Sequence, residues 1–271
     1  MVILISGAST GIGRASAVHL ARKGHDVWAG VRSKKSLEEI QKLNVQGLRP
    51  VYLDVTKEDS IINCVSEIKK GSGTLHGLVN NAGIAVGGPV EAVPLEDWRH
   101  QFEVNVFGQI RLTQECLPLL RESKGRIVNT SSIAGRLASP FLGPYAASKF
   151  AFEAVSDSLR RELKRRGVHV SVVEPGPIAT PIWEKSLTKG LERSAHYSEE
   201  ILKTYGNSMK KFNERITQAE KQASPVSTVV TAIEHALTSR TPRTRYPVGR
   251  GIKALSVAAR TLPDSWLDLA F

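Results

Sequence analysis

The run Met1-Val2-Ile3-Leu4-Ile5-Ser6-Gly7-Ala8-Ser9-Thr10-Gly11-Ile12-Gly13 decides the fold. Val2 to Ile5 is short, apolar and mostly β-branched, the pattern of a strand buried on both faces. From Ile12 onward the apolar residues Ala15, Val18 and Ala21 fall near helical spacing, and Gly24 stands where a helix stops. Between strand and helix lies a turn of spacing G-x-x-x-G-x-G. Glycines let a backbone turn tightly and approach a pyrophosphate, whose charge then meets the helix N-terminus. A glycine turn alone can be an ordinary strand-to-helix connection, so its weight comes from its place at the first such connection.

Outward from this turn the same rhythm repeats. Strands are expected at 26–31, 49–53, 77–79, 125–129 and 168–173. Helices are expected through Leu37 and Ile40, then over 60–69, 98–121 and 145–166. Strands that alternate with helices predict a parallel sheet covered on both faces, an α/β doubly wound architecture. No linker, repeat or low-complexity tract interrupts it, so residues 1–271 read as a single domain.

After Gly176 the rhythm changes. Residues 178–222 are charged and helical in pattern and are expected to form a substrate lid. Its apolar members include Ile182, Trp183, Leu187, Leu191, Ile201, Leu202, Tyr205, Met209, Phe212 and Ile216. One face of it can close over an apolar ligand; the alternative is a plain pair of surface helices. A helix over 226–237 and an edge strand over 244–248 follow. Residues 251–271 form an amphipathic tail with Leu255, Val257, Leu262, Trp266, Leu267 and Phe271.

Hydrophobic residues make up 41% and charged residues 23% of the chain, which is ordinary globular composition and excludes disordered or collagen-like classes. Lys plus Arg number 37 against 26 Asp plus Glu, a formal charge of +11. That excess admits nucleic acid, an anionic membrane or a phosphorylated ligand as partner. Cys64 and Cys116 lie in no CxxC or Cys/His cluster, so no metal site is expected and both read as buried thiols of a reducing compartment. No apolar run is long enough to span a bilayer, and the first strand is too short and lacks the basic flank of a signal peptide.

The turn after the second strand reads Ala29-Gly30-Val31-Arg32-Ser33-Lys34-Lys35. An NAD site presents an acid there to the ribose hydroxyls. None is present. Arg32 offers a planar fork suited to a 2′-phosphate, and Thr10 can donate a hydroxyl to the same group. NADP(H) is therefore expected over NAD(H).

With these motifs in order, the sequence resembles the short-chain dehydrogenase/reductase superfamily over nearly its whole length. The glycine loop is matched by Gly7, Gly11 and Gly13, with Ser6 where Thr is more usual. Asn80-Asn81-Ala82-Gly83 follows the fourth strand, Asn105 matches the helix asparagine, and Ser132 matches the catalytic serine. Tyr145 and Lys149 form the Tyr-x-x-x-Lys pair, and Pro175-Gly176 with Thr180 follows the sixth strand. The resemblance implies a Rossmann fold with a parallel sheet of about seven strands. It implies catalytic roles for Ser132, Tyr145, Lys149 and Asn105, the last supporting a water relay. It places Ser9, Thr10, Ile12, Asp54, Val55, Asn81, Ala82, Gly83, Tyr145, Lys149, Pro175, Gly176, Ile178 and Thr180 with the glycines and Arg32 around the cofactor. It further implies a homodimer or homotetramer built on the 98–121 and 145–166 helices.

The chemistry also stands on the residues. Tyr145 and Lys149 share one helix face. A tyrosine is a poor base at neutral pH, and a cationic Lys149 beside oxidised nicotinamide would stabilise its phenolate. Tyr145 can then move a proton at the substrate oxygen while hydride moves at carbon. Ser132 can polarise that oxygen; its neighbour Ser131 fits the spacing less well. Singly, each of these would read as a packed aromatic, a solvated charge or a capped asparagine. The stretches Trp28–Arg32, Pro144–Ala151, Glu174–Gly176 and Pro242–Gly249 look most like the steroid and retinol dehydrogenase branch.

That likeness implies a hydrophobic alcohol or ketone as substrate. The reduced cysteines suit a cytoplasmic enzyme, and the amphipathic tail is expected to pack on its own domain, with a bilayer or a subunit face as the alternatives. A 3-ketoacyl-thioester reductase and a non-catalytic NADPH-binding regulator are the alternatives. No nucleic-acid-reading motif accompanies the charge.

Overall fold

The computed structural model describes residues 1–270; Phe271, counted above in the tail, lies outside the described residues. In chain order the elements are β1 (Val2–Ile5), α1 (Gly11–Arg22), β2 (Asp26–Val31), α2 (Lys34–Gln41), β3 (Leu48–Tyr52), α3 (Glu58–Ser72) and β4 (Gly77–Asn80). Then come α4 (Leu95–Phe102), α5 (Gly108–Glu122), β5 (Arg126–Thr130), α6 (Gly143–Leu163) and β6 (His169–Pro175). The chain ends in α7 (Ile182–Ser194), α8 (Glu199–Lys221), α9 (Val226–Thr238), β7 (Arg245–Val248), α10 (Ile252–Thr261) and the short α11 (Asp264–Leu267).

Seven strands form one sheet in the order β3-β2-β1-β4-β5-β6-β7, and every pairing in it is parallel. The order reverses between β1 and β4, so the two halves of the sheet diverge there. Such a switch point leaves a crevice beyond the carboxyl ends of the strands.

Alternate side chains of β1 serve two cores. Val2 and Leu4 pack with Trp28, Ile61, Leu112 and Leu120 on the side covered by α3 and α5. Ile3 and Ile5 pack with Leu20, Val128, Ile233 and Leu237 on the side covered by α1 and α9. Both cysteines are free thiols in the first core, where burial pushes Cys64 up to about 12 and Cys116 up as well.

The structure departs from the sequence reading in three places. The helix expected over 98–121 is broken: α4 passes into a π-helical turn, Glu103–Phe107, before α5. Gly108 closes that turn by donating to the Glu103 carbonyl, and its Cα lies so near the Val55 carbonyl that a side chain there would meet it. An inserted π residue leaves no trace in apolar periodicity. Residues 178–222 fold largely as two helices: α8 half-buries Ile201, Tyr205, Met209, Phe212 and Ile216 but buries no residue fully, and α7 fully buries only Ser186. The tail buries Ile252 and Ser256 of α10 but leaves Val257, Leu262, Trp266 and Leu269 exposed.

The lid is nevertheless tied down. Phe141 packs against Tyr205 and Phe212 of α8. The Tyr205 hydroxyl donates to Glu91 at 2.7 Å. Arg193 of α7 donates to Asp97 of α4 and to the Gly87 carbonyl, each at 2.6 Å. Among the described residues no helix is long and apolar enough to cross a membrane.

Candidate active site

The carboxyl ends of β1, β4, β5 and β6 open into a cleft of about 590 Å³ roofed by α7. At its floor is the glycine turn. Gly7 has a left-handed φ of +66°, and a Cβ there would lie 2.6 Å from the Cα of Ala82, so the position admits only glycine. Gly13 is equally hemmed in by the Gly7 carbonyl. The Asn81 amide holds the turn, donating to the Ser6 and Gly7 carbonyls at 3.0 and 3.2 Å, while the Ser6 hydroxyl accepts from the backbone N–H of Asn81 and Ala82.

This cradle fits a dinucleotide phosphate. α1 begins at Thr10 with no side-chain cap and no acidic residue in its first turn, unlike α2 and α8, which are capped by Ser33 and Ser198. Its leading N–H groups and positive dipole end are thus free to meet an anion. Arg32 stands exposed on the rim, and among the described residues no carboxylate pairs with it. Asp54 on the far wall is braced by the backbone and hydroxyl of Thr56.

At the inner end three side chains converge. Tyr145 is 5% exposed in the first turns of α6, beneath Trp183 of the lid, with ring centres 5.6 Å apart in an edge-on arrangement. The Ser132 hydroxyl lies beside the phenol and is held by accepting from Ala134 N–H at 3.1 Å. Ser131 turns away and faces Glu153 instead. Lys149 donates to the Thr130 carbonyl at 2.8 Å, and its ammonium stands 5.8 Å from the Tyr145 ring centre.

The electrostatics differ from the sequence expectation. Burial raises the Tyr145 phenol above its ordinary value, with Ser132 acting the other way. Burial likewise pulls Lys149 down to about 8, against the attraction of Glu153. A neutral, buried phenol beside a hydroxyl is a proton donor for an oxygen placed between them. Spacing alone supplied the cation but not the cost of burying it.

Of the sequence candidates, all line this one cleft except Gly13 and Asn105. Gly13 underpins the turn from beneath. Asn105 sits in the π-helical turn, and its amide spans both polar groups of Ile84, accepting from the N–H at 2.9 Å and donating to the carbonyl at 3.0 Å, with Ser148 as a further acceptor. Its side chain therefore fixes the wall of the cleft. Sequence reasoning missed Gln101 and Gln109. Gln101 accepts from Val86 N–H and donates to the Ile84 carbonyl, and Gln109 donates to the Ala82 carbonyl. Nothing in their spacing marks them, because their partners are backbone groups far away in sequence. Among the described residues no group of His, Cys, Asp and Glu could hold a metal ion.

The family model for short chain dehydrogenase matches residues 1–190. The chain belongs to the short-chain dehydrogenase/reductase family. A 3-amino-tetrahydro-pyrrolizinone reductase of Xenorhabdus hominickii is 39% identical, over 98% of this chain and 94% of its own. An NADPH-dependent 3-dehydrocapnine reductase of Ornithobacterium rhinotracheale is 36% identical, over 99% of this chain and 95% of its own. Retinol dehydrogenase 5 of Mus musculus is 37% identical, over 98% of this chain and 86% of its own.

A short-chain dehydrogenase structure from Streptomyces avermitilis superposes with a TM-score of 0.79 at 26% identity, over 99% of this chain and 96% of that one. One from Burkholderia cenocepacia in complex with NADP gives 0.75 at 25% identity, over 98% and 94%. This member is thus an oxidoreductase on the retinol- and steroid-dehydrogenase-like branch of the family. Nicotinamide binding is supported by the complexed neighbour and by the fit of the cradle.

Proposed function

We propose that this chain is an NADP(H)-dependent oxidoreductase that interconverts a hydrophobic alcohol and its carbonyl compound, of steroid, retinoid or lipid type. The observation that carries this reading is the convergence of Ser132, Tyr145 and Lys149 at the inner end of a cleft that meets Arg32, and no acid, at the turn after β2.

The bound nicotinamide supplies or accepts the hydride. The protein's own part follows from its geometry. Ser132 and Tyr145 orient the substrate oxygen, and Tyr145 gives it a proton in the reducing direction. Lys149 holds positive charge beside the phenol as that proton leaves. Ile84, Ala85, Val86 and Trp183 wall the inner end with apolar surface and keep water from the reacting carbon. Arg32 and Thr10 stand where a 2′-phosphate would be bound. The retinol dehydrogenase relative supports an apolar substrate, and the NADPH-dependent 3-dehydrocapnine reductase supports NADP(H).

A second reading draws on the outer half of the cleft, where Lys185, Lys189 and Arg193 of α7 reach the lining. Cations there would suit the phosphates of a 3-ketoacyl thioester. NADPH consumption across all-trans-retinal, a ketosteroid, a long-chain ketone and acetoacetyl-coenzyme A separates the two. Turnover confined to the thioester overturns the hydrophobic-ketone reading. The same reading carries assembly as a homodimer or homotetramer, supported by exposed Phe107 and Phe150. It also carries a cytoplasmic site, with the exposed apolar side chains of the tail available to a membrane surface.

A further inference from the structure

Behind Lys149 lies a buried set of charges that the chemistry above does not use. Arg136, in the turn that follows Ser132, donates to Glu174 Oε1 at 2.9 and 3.0 Å and to Glu153 Oε2 at 2.8 Å. Arg245 of β7 donates to the same Glu153 oxygen at 3.0 Å and pairs with Glu174 at 3.1 Å and Asp157 at 3.0 Å. Glu174 and Glu153 are 1% and 4% exposed. Ser256 of α10 donates to the other Glu174 oxygen at 3.3 Å.

Burying four charges is costly, and apolar residues of equal volume often stabilise a fold as well or better. Stability alone is therefore a weak account of this set. Its placement gives a stronger one. Arg136 sits just past Ser132. Glu153 lies one helical turn beyond Lys149 on α6. Glu174 immediately precedes Pro175-Gly176. Arg136, Glu153 and Glu174 are each rooted in a segment that carries a group of the active site, and Arg245 ties them to β7.

We propose that Arg136, Glu153, Glu174 and Arg245 form a positioning network for the reaction, which locks those three segments together and sets the Glu153 carboxylate one helical turn from Lys149. This rests on the reading of Lys149 as the working cation. The groups that act on Lys149 are Tyr145 and Glu153 on its own helix and the Thr130 carbonyl on β5, while Ser131 and Arg136 in the following turn act on Glu153. Glu174 on β6 and Arg245 on β7 complete the set. The two guanidiniums offset the two carboxylates, and Asp157, shared with Arg160 and Arg161, adds a further negative charge at the edge. Without Glu153, the set beside Lys149 is one unit more positive, and a buried ammonium then sheds its proton more readily.

The test is an NMR titration of the Lys149 ammonium in the full chain with NADP⁺, its signal identified by its loss in Lys149→Arg. Glu153→Gln should lower the midpoint by roughly one pH unit, whereas Arg136→Gln should raise it. Loosened packing that merely admits water would raise both. An unmoved or raised midpoint in Glu153→Gln overturns the proposal. Should that variant fail to fold, Glu174→Gln must lower the midpoint, and its failure to do so has the same force.

For the positioning role, Arg136→Gln should cut kcat about tenfold on the panel carbonyl that turns over, leave the NADPH Kd within about twofold, and be largely restored by Arg136→Lys. Full activity of Lys149→Met would sink the underlying reading of the site instead. An inactive Lys149→Met with an unmoved Glu153→Gln midpoint sinks the network alone.

Discussion

Lys149 donates to the Thr130 carbonyl at 2.8 Å while its ammonium stands 5.8 Å from the centre of the Tyr145 ring. One residue thus anchors helix α6 to the end of β5 and sets a positive charge beside the phenol. The anchoring bond explains the orientation: a side chain fixed at its tip cannot swing away from the tyrosine one turn earlier. Tyr145 is in turn held from above by Trp183 and from the side by Ser132.

The proton role of Tyr145 is open to a direct check. Tyr145→Phe keeps the ring and its packing under Trp183 and removes only the hydroxyl. Turnover of the panel carbonyl should fall by about 10²–10⁴-fold, the usual contribution of a positioned acid. NADPH binding, read by its fluorescence, should change little. Near-normal turnover would remove the phenol from the chemistry.

Burial sets a pH dependence through Lys149. Its folded value of about 8 lies below the 10.5 of a solvated lysine. In the reducing direction activity needs the ammonium, so kcat should fall as pH rises through about 8. The stability of the cofactor-free protein should show the opposite trend. Between about 8 and 10.5 the unfolded chain holds the proton that the folded chain has lost, so stability rises with pH across that window. Below it both states are protonated, and the cost of the buried charge is fully present. Denaturant unfolding of wild type against Lys149→Met checks this: the gap between them should change in favour of wild type from pH 8 to 10.5, and a constant gap would contradict it.

The first strand, the glycine turn and the alternation up to β6 were readable because each rests on local pattern: a two-sided apolar run, a glycine forced to φ +66°, helical spacing. The cleft members were readable for the same reason, since they sit at the ends of those strands. Other features were not. The π-helical turn at Asn105 is closed by Gly108, which lies against the Val55 carbonyl, a contact between segments distant in sequence. Arg136, Glu153, Glu174 and Arg245 share no pattern along the chain, and only the sheet brings β6, β7 and α6 together around them. The lid read as an apolar cover, yet its apolar side chains at the cleft come from its first residues, Ile178, Pro181, Ile182 and Trp183. Helical periodicity shows that a face exists, and not what it will face.

Cofactor choice should reside in Arg32. Loss of a charge-assisted contact to a phosphate costs roughly 1.5–3 kcal/mol, so Arg32→Ala should raise the KM for NADPH by about 10- to 100-fold. The KM for NADH should move by less than about threefold, because nothing at that position would meet a bare ribose hydroxyl with a charge. Initial rates with both cofactors give the ratio. An unchanged ratio would take Arg32 out of the recognition of the nucleotide.

The last prediction concerns the roof. Arg193 is the one residue of α7 that grips both Asp97 on α4 and the Gly87 carbonyl, each at 2.6 Å. Its side chain is 12% exposed and that of Asp97 37%, so water screens the pair only in part. The pair therefore holds the lid more firmly than a surface ion pair would, but by no more than about 1–2 kcal/mol. Asp97→Asn should loosen α7 and lower kcat/KM about tenfold, mainly through KM, since the lid contributes to holding substrate and not to the proton transfer. Arg193→Ala should do the same and expose the chain around 195–198 to limited proteolysis. Because Arg193→Ala already removes the contact that Asp97→Asn removes, the double variant should be little worse than Arg193→Ala alone. Fully additive losses would mean that the two residues act on the cleft separately, and that the lid is held by its aromatic contacts to Phe141 instead.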